Sequence, residues 1–305
     1  MPDALPSCFG EYGVQAVDTS SGSKMSQNSV SCIYQTKLFG RCRLINVTWC
    51  KSLMGHGLSV SVDDPSPNSK CRVDMKPWFF WKLQGSKSIN VDGQRVDVYW
   101  DMASAKYSHG PEPQDSFYVA IVSEGELVLL LGDMAKEAYK RTQTKPVSLD
   151  PTLLSRKEHM SGKKYYTTKA QFGEKGKIHD IMIECHTDGT REPRLYVRID
   201  RQLMVHVKRL VWKFRGNQTI RVDGIAVEVF WDVYNWLFNP GIHGNAVFMF
   251  QTCLPSEDHK VWLRDATDCS SLMHWSSADK KQSTVENEAY GPAGFSLSLY
   301  AWKIE

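Results

Sequence analysis

The sequence predicts an all-β protein: two tandem, related antiparallel units, each a β-sandwich or barrel-like, with one short connecting helix. Three observations point there. The stretch Trp81 to Asp101, WKLQGSKSINVDGQRVDVYWD, recurs without a gap as Trp212 to Asp232, WKFRGNQTIRVDGIAVEVFWD, with 11 of the 21 paired positions identical. Such a window is an internal duplication. Within it Val96, Val98 and Trp100 alternate with Asp97, Tyr99 and Asp101, and Val227, Val229 and Trp231 alternate with Glu228, Phe230 and Asp232. That is the period of a strand with one apolar face. Asp92-Gly93 and Asp223-Gly224 then mark two-residue turns, because both central residues of the favoured hairpin turn need positive φ. The register follows: Val91 faces Gln94 and Ile89 faces Val96, while Val222 faces Ile225 and Ile220 faces Val227. Trp81, Leu83 and Gly85, with Trp212, Phe214 and Gly216, read as a further strand that completes a three-stranded meander in each unit.

Along the chain, residues 1–28 are Ser-, Gly- and Asp-rich without period and read as a disordered lead. The first β unit is expected over 29–132, with strands at Cys32–Phe39, Arg41–Trp49 and Gly57–Val62 before the repeat and Phe117–Val122 and Leu127–Leu131 after it. The Pro-rich loop between Met102 and Asp115 is expected to lack regular structure. Residues 133–163 read as helix and linker, the helix being DMAKEAYKR from Asp133 to Arg141, with Asp133 placed to cap it. The second β unit is expected over 164–305. Tyr166-Thr-Thr-Lys169 echoes Tyr34-Gln-Thr-Lys37 at its start, strands follow at Ile178–Cys185, Leu195–Ile199 and Leu203–Val207, and beyond the repeat at Ala246–Gln251, Val261–Arg264 and Phe295–Lys303.

The 305 residues, 42% hydrophobic and 23% charged with a net charge of +3, are ordinary for a globular protein of two domains. No window has the apolar length of a membrane span, and the first residues lack the pattern of a secretory or transit peptide, so a cytoplasmic or nuclear protein is expected. Its eight cysteines then read as reduced thiols, and the sequons at Asn46 and Asn217 as chance matches.

The duplicated VDG-x-x-V-x-V-[YF]-WD strands, with the Tyr34-Gln-Thr-Lys strand upstream and the ending Phe-Ser-Leu-Ser-Leu-Tyr-Ala-Trp-Lys, resemble the plant-specific family catalogued as domain of unknown function 868. The resemblance spans nearly the whole chain after the lead. It implies a land-plant origin and brings no catalytic residues with it.

Motifs of chemistry are absent: no Gly-x-Gly-x-x-Gly, no phosphate loop of the Walker type, no His-Glu-x-x-His, no Gly-x-Ser-x-Gly. Cys185-His186 and Cys269 with His274 fall short of a zinc signature, so no metal and no cofactor are expected. His56, His109 and His243, with Asp63 or Asp64, are the residues from which a loop-borne carbohydrate-active or hydrolytic site could be built; that is the alternative reading. Trp81, Trp100, Trp212 and Trp231 fall on apolar faces. Trp236 alone is free enough for a sugar platform, and a loop tryptophan folded back over the core is the plainer expectation.

Charge is the asymmetry between the copies. From Arg191 to Arg221 there are nine Arg and Lys against Glu192 and Asp200, whereas Val60 to Asn90 has five basic and three acidic residues. Arg194, Arg198, Lys208, Lys213, Arg215 and Arg221, with His206, all fall opposite the apolar side of their strands. Several are therefore expected to share one exposed sheet face, where like charges repel unless an anion relieves them. The function expected is a non-enzymatic binding or scaffold protein whose second unit engages an anionic lipid headgroup, an RNA backbone or an acidic protein segment.

Overall fold

A computed structural model describes residues 26–53, 55–63, 72–75, 83–146, 149, 151–173, 176–186, 192–239, 244–252 and 294–303. In chain order its elements are β1 (Ser26–Leu38), β2 (Arg41–Ser52), β3 (Gly55–Val62), β4 (Arg72–Met75), β5 (Gln84–Val91), β6 (Gln94–Asp101), β7 (Lys106–Tyr107), β8 (Pro113–Asp115), β9 (Tyr118–Ser123), β10 (Glu126–Gly132) and α1 (Ala135–Thr142). There follow β11 (Thr152–Gly162), β12 (Tyr165–Ala170), β13 (His179–His186), β14 (Arg194–Ile199), β15 (Gln202–Val207), β16 (Arg215–Val222), β17 (Ile225–Asp232), α2 (Tyr234–Phe238), β18 (Asn245–Thr252) and β19 (Ser296–Lys303). The fold is all-β, as the alternation in the sequence requires.

The hairpins form in the expected register. Ile89 pairs with Val96 and Val91 with Gln94; Ile220 pairs with Val227 and Val222 with Ile225. Asp92, Gly93, Asp223 and Gly224 all have positive φ, between 48° and 83°, which is what a two-residue turn between right-twisted strands demands. The strand order of the first half recurs in the second. Strands β1 to β4 lie side by side and face a sheet ordered β10-β9-β6-β5, while β12 to β15 lie side by side and face β19-β18-β17-β16. Between each pair of layers is one apolar core. The first holds Ile45, Val47, Trp49 and Val60 against Val96, Val98, Trp100 and Ile121. The second holds Ile181, Ile183, Leu195 and Val197 against Val227, Val229, Phe248 and Leu299. Helix α1 covers the outer side of β9 and β10, so β9 is buried along its whole length.

The halves are joined by hydrogen bonds. Strand β11 pairs antiparallel with β1 and parallel with β19, and so merges a layer from each half into one nine-stranded sheet ordered β16-β17-β18-β19-β11-β1-β2-β3-β4. On its buried side β11 carries charge. Glu158 sits between Val30 and Leu299 with none of its surface exposed, and Arg156 sits between Cys32 and Leu297. The Arg156 guanidinium donates through both terminal nitrogens to Glu112, in the β7–β8 hairpin, and through Nε to Glu158 Oε1 at 2.5 Å; Thr168 Oγ1 donates to the same oxygen at 2.8 Å. Burial pushes the Glu158 carboxyl above the usual carboxylate range, against the pull of Arg156.

Several expectations are corrected. The stretch 133–163, read as helix and linker, holds β11, whose buried Arg and Glu disguise it as a polar connection. Met134, not Asp133, is the N-cap of α1; Asp133 Oδ1 instead accepts the Phe117 N–H at 3.1 Å. Among the described residues no separate strand precedes either hairpin, since Gly85 and Gly216 lie inside β5 and β16 and Trp212 stands in the turn before β16. The Pro-rich loop contains the β7–β8 ribbon, β4 and the five-residue α2 were not foreseen, and β1 begins within the lead expected over 1–28. Trp81, Asp64 and the expected strand 261–264 lie outside the described residues.

Candidate anion-binding edge

The basic residues expected to share one face lie on two layers. Arg194 and Arg198 are on β14, in the sheet β12-β13-β14-β15; Arg215 and Arg221 are on β16, the edge strand of the nine-stranded sheet on the other side of the core. Each points outward, as its parity requires, but in opposite directions. The strands also separate them lengthwise. Arg215 opens β16 and Arg221 nearly closes it, about 20 Å apart at the rise of an extended strand.

Two ends of the second sandwich result. At one, Arg221 and Arg201 are accompanied by Asp180, Asp200 and Asp223. There the buried His179 bridges two turns, its Nδ1 2.8 Å from Asp200 and its Nε2 3.0 Å from Asp223. Lys169 and Lys177 pair with Asp180 and Asp200 there, at 3.7 and 3.4 Å, so that end mixes both signs of charge. At the other end are Arg194, Lys208, Lys213 and Arg215, with Arg209, which is not among the six residues expected from the sequence. They surround residues 208–214, the connection that carries the chain from β15 in one layer to β16 in the other.

This connection is held firmly. Leu210 is fully buried, its N–H donates to the Pro193 carbonyl at 3.0 Å, and the N–H of Lys213 reaches back to the Arg209 and Leu210 carbonyls in a single helical turn. Trp231 Nε1 donates to the Lys213 carbonyl at 2.9 Å, and the Val233 N–H to that of Phe214 at 2.9 Å. With its backbone so tied, the turn displays Val211, 38% exposed, and Trp212, 84% exposed, between basic neighbours. Beside it the rings of Phe214, Tyr234 and Phe238 pack on one another at 5.1 to 5.5 Å, and the Arg215 guanidinium lies 5.4 Å from the Tyr234 centroid.

Three of the six expected arginine and lysine residues already have carboxylate partners. Arg198 bonds Glu184 at 2.8 Å, Arg215 bonds Asp232 at 2.8 Å, and Arg194 lies 3.6 Å from Glu192. Lys208, Lys213 and Arg221 have no ion pair among the described residues, and neither does Arg209. His206 registers the field at the connection: burial, then the charges of Lys208 and Arg194, hold its imidazole below the ordinary range. Its ring stacks on Tyr196 at 4.5 Å, and Tyr196 also lies under Arg198.

The tryptophans and histidines named for other chemistry are accounted for. Trp100 and Trp231 are buried, as expected, but Trp212 is not on an apolar face. Trp236 is buried in α2 with Nε1 donating to the Ala301 carbonyl at 3.1 Å, so it offers no sugar platform. His56 packs edge-on against Tyr107 with centroids 3.7 Å apart, and its Nδ1 has no partner among the described residues; burial and Lys51 hold it below the ordinary imidazole range. His109 offers its carbonyl to Lys51 at 3.3 Å. No carboxylate bonds either ring among the described residues, and His243, Cys269 and His274 lie outside them. Among the described residues no group of three or more His, Cys, Asp or Glu could hold a metal ion, Cys185 with His186 included. No helix among them is long and apolar enough to cross a membrane.

Neither a curated protein nor a solved structure matches the chain. A family model described as plant protein of unknown function (DUF868) matches residues 25–303, and the chain belongs to that family.

Proposed function

We propose that this is a non-enzymatic binding protein that engages an anionic partner through the β15–β16 edge of its second half. The observation that carries the reading is that Lys208, Arg209 and Lys213, free of ion pairs among the described residues, converge on one rigid connection whose backbone is anchored by Leu210. Like charges held close together on a fixed scaffold repel one another, and an anion that neutralises them relieves that repulsion. Arg194 and Arg215 flank them, and each guanidinium has further N–H donors for a phosphate beside the carboxylate it already holds, arginine being suited to two-pronged donation. Arg198 and Arg221, at the other end, take no part. A plant cytosolic or nuclear setting goes with this reading, in keeping with Cys32 and Cys42 being thiols rather than disulfides.

The test is binding of the full chain to phosphatidylserine vesicles, single-stranded RNA and heparin at low and moderate salt, beside Lys208→Glu, Lys213→Glu. At least one ligand should bind with steep salt dependence and the variant should lose it. Equal binding by the variant would remove this edge from consideration.

A further inference from the structure

We infer that the anionic partner is a bilayer surface carrying acidic phospholipids, with Trp212 and Val211 entering the headgroup layer while Lys208, Arg209 and Lys213 meet the phosphates. This rests on the anion-binding reading above and goes beyond it by naming the partner. The reason is the company the cations keep. An indole that is 84% exposed on a turn whose backbone is bonded at Pro193, Trp231 and Val233 is held out by the fold rather than left loose. Indole is the side chain best matched to the headgroup level, where one part of the ring is apolar and one N–H needs a polar neighbour. Next to it is Val211, an aliphatic group that can bury in acyl chains but offers no face for a nucleobase. Farther along the same end, Tyr234 and Phe238 are 40% and 44% exposed, and their rings, with Phe214, lean on one another and on Arg215 instead of standing open as stacking platforms.

An apolar tip ringed by cations is the arrangement by which a soluble domain lies on a membrane; a polynucleotide track needs a groove of cations with open aromatic faces between them. Charge complementarity gives the attraction and the tip gives the depth. Acidic lipids draw the three cations to the leaflet, and the Trp212 ring then leaves water.

The experiment is co-sedimentation of the full chain with phosphatidylcholine vesicles, with and without phosphatidylserine, for wild type and Trp212→Ala. Single-stranded RNA and heparin binding are measured alongside. Because Trp212 is so exposed, the variant should melt at the wild-type temperature, which separates loss of binding from loss of fold. Wild type should favour the acidic vesicles by roughly ten-fold or more. Trp212→Ala should weaken that binding by about ten-fold, the equivalent of losing most of an indole's burial. The fluorescence difference between wild type and Trp212→Ala should move to the blue on acidic vesicles and be quenched by bromine on the acyl chains.

Binding to RNA or heparin without binding to vesicles overturns the bilayer assignment and leaves the anion-binding reading standing. Vesicle binding that Trp212→Ala does not weaken, or an unshifted difference spectrum, overturns insertion. Binding to none of the three removes both readings.

Discussion

At the scale of single residues, the recurring stretch keeps a glycine and a tryptophan for one shared reason. Gly85 faces Trp100 across β5 and β6, and Gly216 faces Trp231 across β16 and β17. A Cβ on Gly85 would stand 2.6 Å from Trp100 Cζ2, and one on Gly216 would stand 2.5 Å from Trp231 Cζ2. The indole lies over the bare backbone, and no other residue leaves it room. Gly216→Ala should therefore cost about 1–3 kcal/mol in a denaturant titration, the range for overpacking a filled core. Trp231→Phe in the same chain should recover part of that loss, because the atom that clashes is gone; strictly additive costs would refute the pairing. The pair was half legible. Both residues stood out as repeated, but that one lies on the other emerges only from register plus ring orientation.

Among elements, the hairpins were readable because period-two alternation and an Asp-Gly turn leave one register that puts Ile89, Val96, Val98 and Trp100, and their counterparts Ile220, Val227, Val229 and Trp231, inside. The same register sets Arg215 opposite Asp232 and so accounts for one arginine's partner. Strand β11 was not readable. Arg156 and Glu158 occupy its buried side, so binary pattern reports a polar connection, and only partners 44 residues upstream and ten downstream, Glu112 and Thr168, make that side habitable. His179 works between elements as well. It joins the β14–β15 turn to the β16–β17 turn, one from each layer, by accepting Asp200 and Asp223 as neighbours. The hydrogen bond from His179, with the Asp180 N–H, holds the Asp200 carboxyl down to about 2. A depressed carboxyl contributes stability above its unfolded value, about 3.9, and that contribution drains away as pH falls toward the folded value. Asp200→Asn should thus be less stable than wild type at about pH 5, with the gap closing as pH drops to about 2. A gap that stays constant over that window would mean that His179 does not hold the turn.

For the whole molecule, the two halves make one body because β11 extends a sheet from each, and the seam is fastened by a buried ion cluster. Arg156→Met would leave Glu158 buried without its counter-charge and Glu112 without its two-pronged donor. The expected cost is about 3–5 kcal/mol by thermal or chemical unfolding, since removing one partner strands the other in a medium that solvates it poorly. A loss under about 1 kcal/mol would show that the carboxyls simply take up protons and that the cluster is dispensable. The basic edge belongs to this scale too. Outward parity of the strand-borne arginines was legible strand by strand, but which layer a strand joins is decided by long-range pairing, and that put Arg194 and Arg198 on one sheet, Arg215 and Arg221 on the other, and Lys208 and Lys213 on the connection between them. What the structure adds is Arg209, the exposed Trp212, and the grouping of Lys208 and Lys213 on one fixed turn. The most direct measurement is the salt dependence of binding to acidic vesicles and to single-stranded RNA, for wild type and for Lys208→Glu, Lys213→Glu. For whichever ligand binds, affinity should fall steeply with salt in the wild type, and on RNA the variant's slope should be shallower by roughly 1.4, from two lost phosphate contacts at about 0.7 each. Identical slopes, or no binding to either ligand at low salt, would contradict the assignment of this edge as the protein's binding surface.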